Sequence, residues 1–136
     1  MKLSDISPIS ALKVVLEAAG VTGTIYEGSM PTAELPDSYI VIMQNGGTKI
    51  IGSKMGLIDG ALAISIYVKL LSTGAINIKK SNIILKQFDS LFENNKTVTS
   101  NSYHFSLDTE NPIIYEGRNL SEGYSTKIIN ILLTKY

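Results

Sequence analysis

The segment Ala61–Leu71 constrains the fold more than any other part of the chain. Leu62, Ile64, Ile66, Val68 and Leu70 alternate with Ala63, Ser65, Tyr67 and Lys69. Successive side chains of a strand point to opposite faces, so this run reads as a β-strand with one fully buried face. Tyr39–Gln44 is apolar at both parities, with Tyr39, Val41 and Met43 set against Ile40 and Ile42. That pattern belongs to a central strand covered on both sides. A sheet is therefore required, together with something to cover it.

Two amphipathic helices meet that need. Residues 8–19 place Ile9, Leu12, Leu16 and Ala19 on one stripe. Ser7 is positioned to cap this helix, and Pro8 fits the first helical position, where no N–H is needed. Gly20 is the natural left-handed stop. The second helix is expected over 77–93, with Ile84, Phe88, Leu91 and Phe92 as its buried stripe and Asn94-Asn95 at its end.

The rest reads as β-structure. Thr22–Glu27 is a short strand, and Gly28–Pro36 is a loop punctuated by Pro31 and Pro36. Thr97–Leu107 puts Tyr103, Phe105 and Leu107 on one side. Asp108–Pro112 turns, Ile113–Glu116 is a short strand, and Gly117–Gly123 turns again. Tyr124–Tyr136 carries Ile129, Ile131 and Leu133 on one face and Ile128, Asn130 and Leu132 on the other. This order predicts an α+β fold: a single mainly antiparallel sheet with two helices packed on one face. A length of 136 residues suits one domain, 1–136, with a real core. No repeat, low-complexity tract or linker stands out.

Residues 45–60 differ in character. Gly46, Gly47, Gly52, Gly56 and Gly60 fall among Asn45, Lys49, Lys54 and Asp59, beside the apolar Ile50, Ile51, Met55, Leu57 and Ile58. The reading is an extended glycine-rich loop or hairpin arm, and a connection of that length in a compact domain is usually functional.

Composition removes several function classes. Twelve basic residues balance twelve acidic ones, so no charge excess exists for sequence-independent nucleic-acid binding. Without cysteine there is no disulfide framework, thiolate nucleophile or Cys-ligated zinc. The one histidine, His104, cannot build a multi-His metal site, and the carboxylates are scattered. The opening Met-Lys-Leu-Ser-Asp-Ile-Ser-Pro lacks the apolar core of a secretory signal, and the longest apolar runs fall short of the ~20 residues of a membrane helix. Charged residues make up 18%, below the ~25% of ordinary soluble domains, consistent with a surface that meets other protein.

Candidate chemistry is sparse. His104 lies mid-strand between Tyr103 and Phe105, so it points away from the face they share. A general base there would need a partner within hydrogen-bond reach. The run Gly46-Gly47-Thr48-Lys49 to Gly52-Ser53-Lys54 departs from the phosphate-loop pattern, because Ser53-Lys54 stands in reversed order and a strand follows instead of a helix. Asp108, Glu110, Glu116 and Glu122 lie in turns, which favour acidic residues anyway. Lys79-Lys80 opens the second helix as a solvated face. No serine sits in a G-x-S-x-G elbow. The expectation is a protein that is not an enzyme and takes no cofactor or metal.

The element order and several segments carry a resemblance. A helix over Ile9–Ala19 leads through a proline-containing loop to Leu35-Pro36-Asp37-Ser38-Tyr39-Ile40-Val41-Ile42. A glycine-rich segment then leads to the long strand Leu62–Leu71, the helix Ile83-Ile84-Leu85-Lys86-Gln87-Phe88-Asp89-Ser90-Leu91, and a β-rich close on Gly123-Tyr124-Ser125-Thr126-Lys127-Ile128-Ile129-Asn130-Ile131. Over most of its length the chain resembles the tail terminator, or tail-completion, proteins of tailed bacteriophages and their minor-capsid relatives.

That resemblance implies a ring of copies, commonly hexameric. Such a ring caps the tail tube, stops its polymerisation and joins it to the head-side connector or neck protein. It implies partners in the tail tube protein, the connector and copies of the chain itself, with DNA only as cargo passing through the channel. It implies no membrane, and a place in the virion after assembly in the host cytoplasm. A closed ring needs two different, complementary patches per copy. The subunit-interface candidates are Lys49, Ile50, Ile51, Lys54, Met55, Leu57 and Ile58. Burying the apolar members in a neighbour would contribute ~1.5–3 kcal/mol each before ordering costs. The rival readings are another neck or sheath-initiating ring component, a small monomeric module binding an apolar ligand or peptide between sheet and helices, and, last, a hydrolase using His104 or scattered carboxylates.

Overall fold

The computed structural model describes residues 7–28, 35–44, 49–51, 57–93, 97–100, 103–108, 113–119 and 122–135, with backbone alone at 44, 49–51, 57–59, 113–116 and 135. The first helix, α1 (Pro8–Ala18), starts where its capping residues direct. Ser7 Oγ accepts the Ser10 backbone N–H at 3.4 Å, and Pro8 stands at the first helical position. Gly20 adopts a left-handed φ of 72° just beyond the helix, a conformation that costs other residues a Cβ clash. Ala11, Leu12, Val15 and Leu16 form the buried stripe. Ala19 was expected on that stripe but is exposed. The helix ends at Ala18 and the chain turns away before Ala19 comes over the sheet.

The second helix, α2 (Ile78–Leu91), is capped by the Asn77 side chain, which accepts the Lys80 N–H at 3.2 Å. It buries Ser81, Ile84 and Phe88, and Phe92 is buried just past its end.

Among the described residues eight strands make one sheet: β1 (Thr24–Glu27), β2 (Ser38–Gln44), β3 (Lys49–Ile51), β4 (Leu57–Lys69), β5 (Val98–Ser100), β6 (Tyr103–Leu107), β7 (Ile113–Asn119) and β8 (Tyr124–Lys135). Their order is β1-β2-β4-β8-β6-β5, with β3 also on β4 and β7 also on β8. The two longest strands form the central ladder, unbroken from Ile58 opposite Lys135 to Lys69 opposite Tyr124. Only β1 and β2 pair in parallel; the other pairings are antiparallel. The fold is therefore α+β, a mainly antiparallel sheet with both helices on one face and a hairpin arm within 45–60.

Two expectations about the strands change, and one alternative is decided. Of the loop and the hairpin arm expected over 45–60, the hairpin is found: 49–51 form β3 and 57–60 belong to β4. Ile50 pairs with Ile58 and Ile51 with Leu57, and β-branched residues on a ladder outweigh the surrounding glycines. Thr97–Leu107 is not one strand but the β5–β6 hairpin, with Val98 opposite Phe105. The strand expected over Ile113–Glu116 continues to Asn119, so the turn into β8 is shorter. In that turn Gly123, at φ 78°, donates its N–H to the Asn119 carbonyl at 2.9 Å, and Asn119 Oδ1 accepts the Glu122 N–H at 3.3 Å.

The topology contains a repeat that the sequence hides. Each half of the chain runs helix, three shorter strands, then one long strand. Exchanging β1–β4 with β5–β8 turns the sheet order into its own reverse. The two halves are thus related by a pseudo-two-fold through the middle of the β4–β8 ladder, where Ile64 meets Ile129. Under it Ile64, Ile66 and Val68 correspond to Ile129, Ile131 and Leu133, and all six are buried. The symmetry breaks at the outer strands, since β1 is parallel to β2 whereas β5 is antiparallel to β6.

The main core lies between sheet and helices. Leu12 and Leu16 of α1 and Ile84 and Phe88 of α2 pack with Ile40, Leu62, Ile64, Phe105, Ile131 and Leu133 from the sheet. Helix α1 touches β1 and β2 on one side and β5 and β6 on the other, so the sheet curls around it. A smaller cluster on the opposite face joins Tyr39, Val41 and Tyr124 with Tyr26, Leu35, Met43 and Tyr67. The Tyr39 ring stacks on Tyr67 at 4.5 Å, with Tyr26 and Tyr124 edge-on at 6.0 and 5.4 Å. The Tyr124 hydroxyl donates to the Pro36 carbonyl at 2.7 Å. Strand β2 is thus covered on both faces, as its sequence requires.

Candidate subunit interface

The interface candidates fall on the β3–β4 hairpin. Lys49, Ile50 and Ile51 make up β3, and Leu57 and Ile58 open β4. The register sets Lys49 opposite Asp59, Ile50 opposite Ile58 and Ile51 opposite Leu57. Lys54 and Met55 lie outside the described residues, as do Gly46, Gly47, Gly52, Gly56 and Glu110. The hairpin prolongs β2 along the same edge of β4, because β2 pairs with Leu62–Val68 and β3 with Leu57–Asp59. Strand β4 therefore carries β2 and β3 in succession on one edge, and the hairpin marks one end of it.

The other end carries a feature that sequence reasoning missed. Leu71, directly after β4, and Ile78 and Ile83 of α2 are exposed, Ile78 at 65%. Lys79 is exposed, as a solvated face requires, and the apolar Ile78 and Ile83 on either side of the lysine pair are exposed with it. The intervening turn is well held: the Leu71 N–H donates to Ala75 O at 2.9 Å and Arg118 Nη1 to Gly74 O at 3.0 Å. Strand β4 has 13 residues, so hairpin and turn stand roughly 40 Å apart at ~3.3 Å per residue. The exposed Leu71 and Ile78 thus lie beyond the end of β4 opposite to the one that pairs with β3.

The remaining candidates are separate from one another. His104 is half-buried on the face away from the helices, as its alternation with Tyr103 and Phe105 requires, and its Nδ1 lies 3.0 Å from Thr99 Oγ1. The Asp108 carboxylate accepts the Asn130 amide at 2.9 Å. Among the described residues no three His, Asp or Glu side chains come together as a metal site would need. An open depression of about 410 Å³ lies on the helical layer, lined by Ala19, Lys86, Gln87, Ser90 and Leu91. Gln87 among them accepts the Thr22 N–H at 2.7 Å and donates to Thr22 Oγ1 at 2.9 Å. Between sheet and helices, where the ligand-module reading expects a pocket, Leu12, Leu16, Ile84 and Phe88 pack with Ile40, Ile64 and Phe105.

Electrostatics around the sheet are quiet. The ion pairs Lys13–Glu17 and Lys69–Asp37, at 3.6 and 3.9 Å, are solvent-exposed, where such pairs contribute little. The perturbed groups are phenols. Burial, helped by the neighbouring Tyr67, Tyr124 and Glu122, pushes Tyr39 up to about 12 from its ordinary 10.0. Burial also raises Tyr103 and Tyr124, the latter with help from Asp37. These shifts report packing around uncharged rings. Among the described residues no helix is long and apolar enough to cross a membrane.

Comparison with known proteins bears on the fold alone. No family model and no curated protein matches the chain. One solved structure, of a protein designated only by a sequence identifier, superposes on 100% of this chain and 96% of its own with a TM-score of 0.61 at 12% identity. The likeness is one of architecture, extending over the entire chain.

Proposed function

We propose that this chain is a structural virion protein of a tailed bacteriophage, a tail terminator. Its copies close into a ring, hexameric in the family it resembles, on the end of the tail tube. The ring stops tube polymerisation and offers the head-side connector a surface to dock on. This role uses no catalytic residue and no cofactor, and DNA passes through the ring as cargo.

The observation that carries the proposal is the β3–β4 hairpin, rich in isoleucine and leucine and set at one end of the longest ribbon. A head-to-tail ring needs a second, different patch on each copy. The exposed Leu71 and Ile78, beyond the opposite end of β4, are the candidates for it. The element order that resembles tail terminators supports the same reading.

Polymerising the cognate tail tube protein with and without the purified chain tests the role. The expected result is tubes that stop growing and carry a ring at one end in electron micrographs. Tubes of unchanged length with bare ends would contradict it.

A further inference from the structure

Helix α2 carries its charges against its own dipole. Lys79 and Lys80 stand in its first turn, Asp89 in its last and Glu93 just past its end, with no acidic residue in the first turn and no basic one in the last. A helix holds partial positive charge at its N-terminus and negative charge at its C-terminus, so each of these placements is adverse to the isolated chain. Among the described residues none of the four makes an ion pair, whereas Lys13 and Glu17 of α1 do. Charges that do not serve the folded chain itself are available to a neighbour.

The two ends also differ in shape. The N-terminal end presents Ile78, 65% exposed, with Leu71 exposed in the turn before it. The C-terminal half borders the open depression of about 410 Å³, lined by Ala19, Lys86, Gln87, Ser90 and Leu91. Asp89 adjoins Ser90 in sequence and Glu93 follows it by about one turn, both exposed. Two carboxylates thus outnumber the one lysine at this end. One end of α2 is a cationic apolar knob, and the other is a hollow flanked by carboxylates.

We propose that Ile78 of one copy seats in the depression of the next, with Lys79 facing the Asp89 and Glu93 carboxylates beside it. This contact builds on the ring-forming role proposed above and is what the Ile78 end of each copy meets. Helix α2 has 14 residues, so its ends stand ~20 Å apart at ~1.5 Å per residue, and a copy cannot fill its own depression. The two patches are different surfaces of one chain, so the contact is heterologous and repeats from copy to copy. Side-chain charges and helix dipoles are then both satisfied, N-terminus against C-terminus. Contacts between like ends set lysines against lysines or carboxylates against carboxylates, which is costly across an interface. Two α2 helices side by side and antiparallel are disfavoured as well. Matching Lys79 with Glu93 sets Lys86 against Lys86 of the second copy. Matching Lys79 with Asp89 centres the contact on Ile84, which is buried in its own core.

The chain has no cysteine, so an engineered pair reports without background. Ile78 and Ser90 lie ~18 Å apart along the helix, beyond disulfide reach within one copy. The experiment is oxidation of the Ile78→Cys, Ser90→Cys double variant after assembly, resolved on a non-reducing gel. The expected result is a ladder of covalent multimers, whereas an equimolar mixture of the two single variants stops at dimers. Assembly of unchanged mass without a ladder overturns this contact and leaves the ring role standing. An unmodified chain that is a strict monomer at every concentration overturns both. Lys79→Glu separates the contact from folding. It removes an adverse charge from the first turn, so the melting temperature of the dilute chain should hold or rise while assembly weakens at least tenfold. Adding Glu93→Lys should restore assembly. Assembly of Lys79→Glu at parental strength, or no rescue by Glu93→Lys, overturns the contact.

Discussion

Ile64 of β4 lies directly opposite Ile129 of β8, and both are buried where the two halves of the sheet meet. The pseudo-two-fold makes them equivalent positions of one architecture, each facing the helices. Replacing either by alanine removes a buried branched side chain and leaves a cavity. Each of Ile64→Ala and Ile129→Ala should cost about 2–5 kcal/mol in urea unfolding, the range for such truncations. A loss below about 1 kcal/mol at either position would show that the pair is not at the centre of the core.

Ser65 stands one residue along, on the other face. Its side chain is fully buried and its hydroxyl finds no partner among the described residues. A buried polar group without a hydrogen bond costs about 1–3 kcal/mol. Ser65→Ala should therefore raise stability by about 1 kcal/mol or more in chemical denaturation. A destabilised variant would mean that the hydroxyl has a partner in solution.

Tyr39 gives the fold an alkaline limit. Its phenol is raised in the folded chain from 10.0 to about 12, so the folded state holds the proton more tightly than the unfolded one. The corresponding stability is complete below pH 10 and is lost as pH rises toward 12. The loss approaches about 1.4 kcal/mol per pH step in that window. Tyr39→Phe, which keeps the ring but cannot ionise, should flatten the decline in melting temperature between pH 10 and 12. An equally steep decline in the variant would place the titration elsewhere.

Gln87 joins the helical layer to the first strand. Its amide accepts the Thr22 N–H and donates to Thr22 Oγ1, bridging α2 to the turn between α1 and β1. Gln87→Met keeps the length of the side chain and removes both of these bonds and a longer one to the Gly20 carbonyl at 3.5 Å. It should cost about 1–2 kcal/mol at typical net values per hydrogen bond, read from urea denaturation. No change would show that water replaces the amide without penalty.

Much of this fold can be read from the sequence, because burial imposes periodicity. Ile64, Ile66 and Val68 announce β4, Ile129, Ile131 and Leu133 announce β8, and Ser7-Pro8 and Gly20 bound the first helix closely. Where neighbours in space override local composition, the reading fails. Strand β3 is hidden among glycines because its partner Leu57–Asp59 is what makes it a strand. The β5–β6 hairpin reads as one strand because Val98 and Thr99 are as β-prone as Tyr103 and Phe105, although Val98 and Phe105 are out of phase for a single strand. The internal repeat leaves little trace, since the halves share topology and inward-facing residues while their outer positions differ. The exposed Ile78 and Ile83 are invisible to a pattern that assigns apolar residues inward. Identities of the hairpin residues mark 49–58 as unusual, but only the register shows the hairpin to be an extension of the β2–β4 ribbon.

The central claim is assembly through the β3–β4 hairpin. Its most direct test is the solution mass of the unmodified chain over a wide concentration range, beside a variant in which an Asn-Gly turn replaces residues 48–58. The expected result is a concentration-dependent ring for the unmodified chain and a folded monomer for the variant. An unmodified chain that stays monomeric throughout, or a variant that assembles as well as its parent, would contradict it.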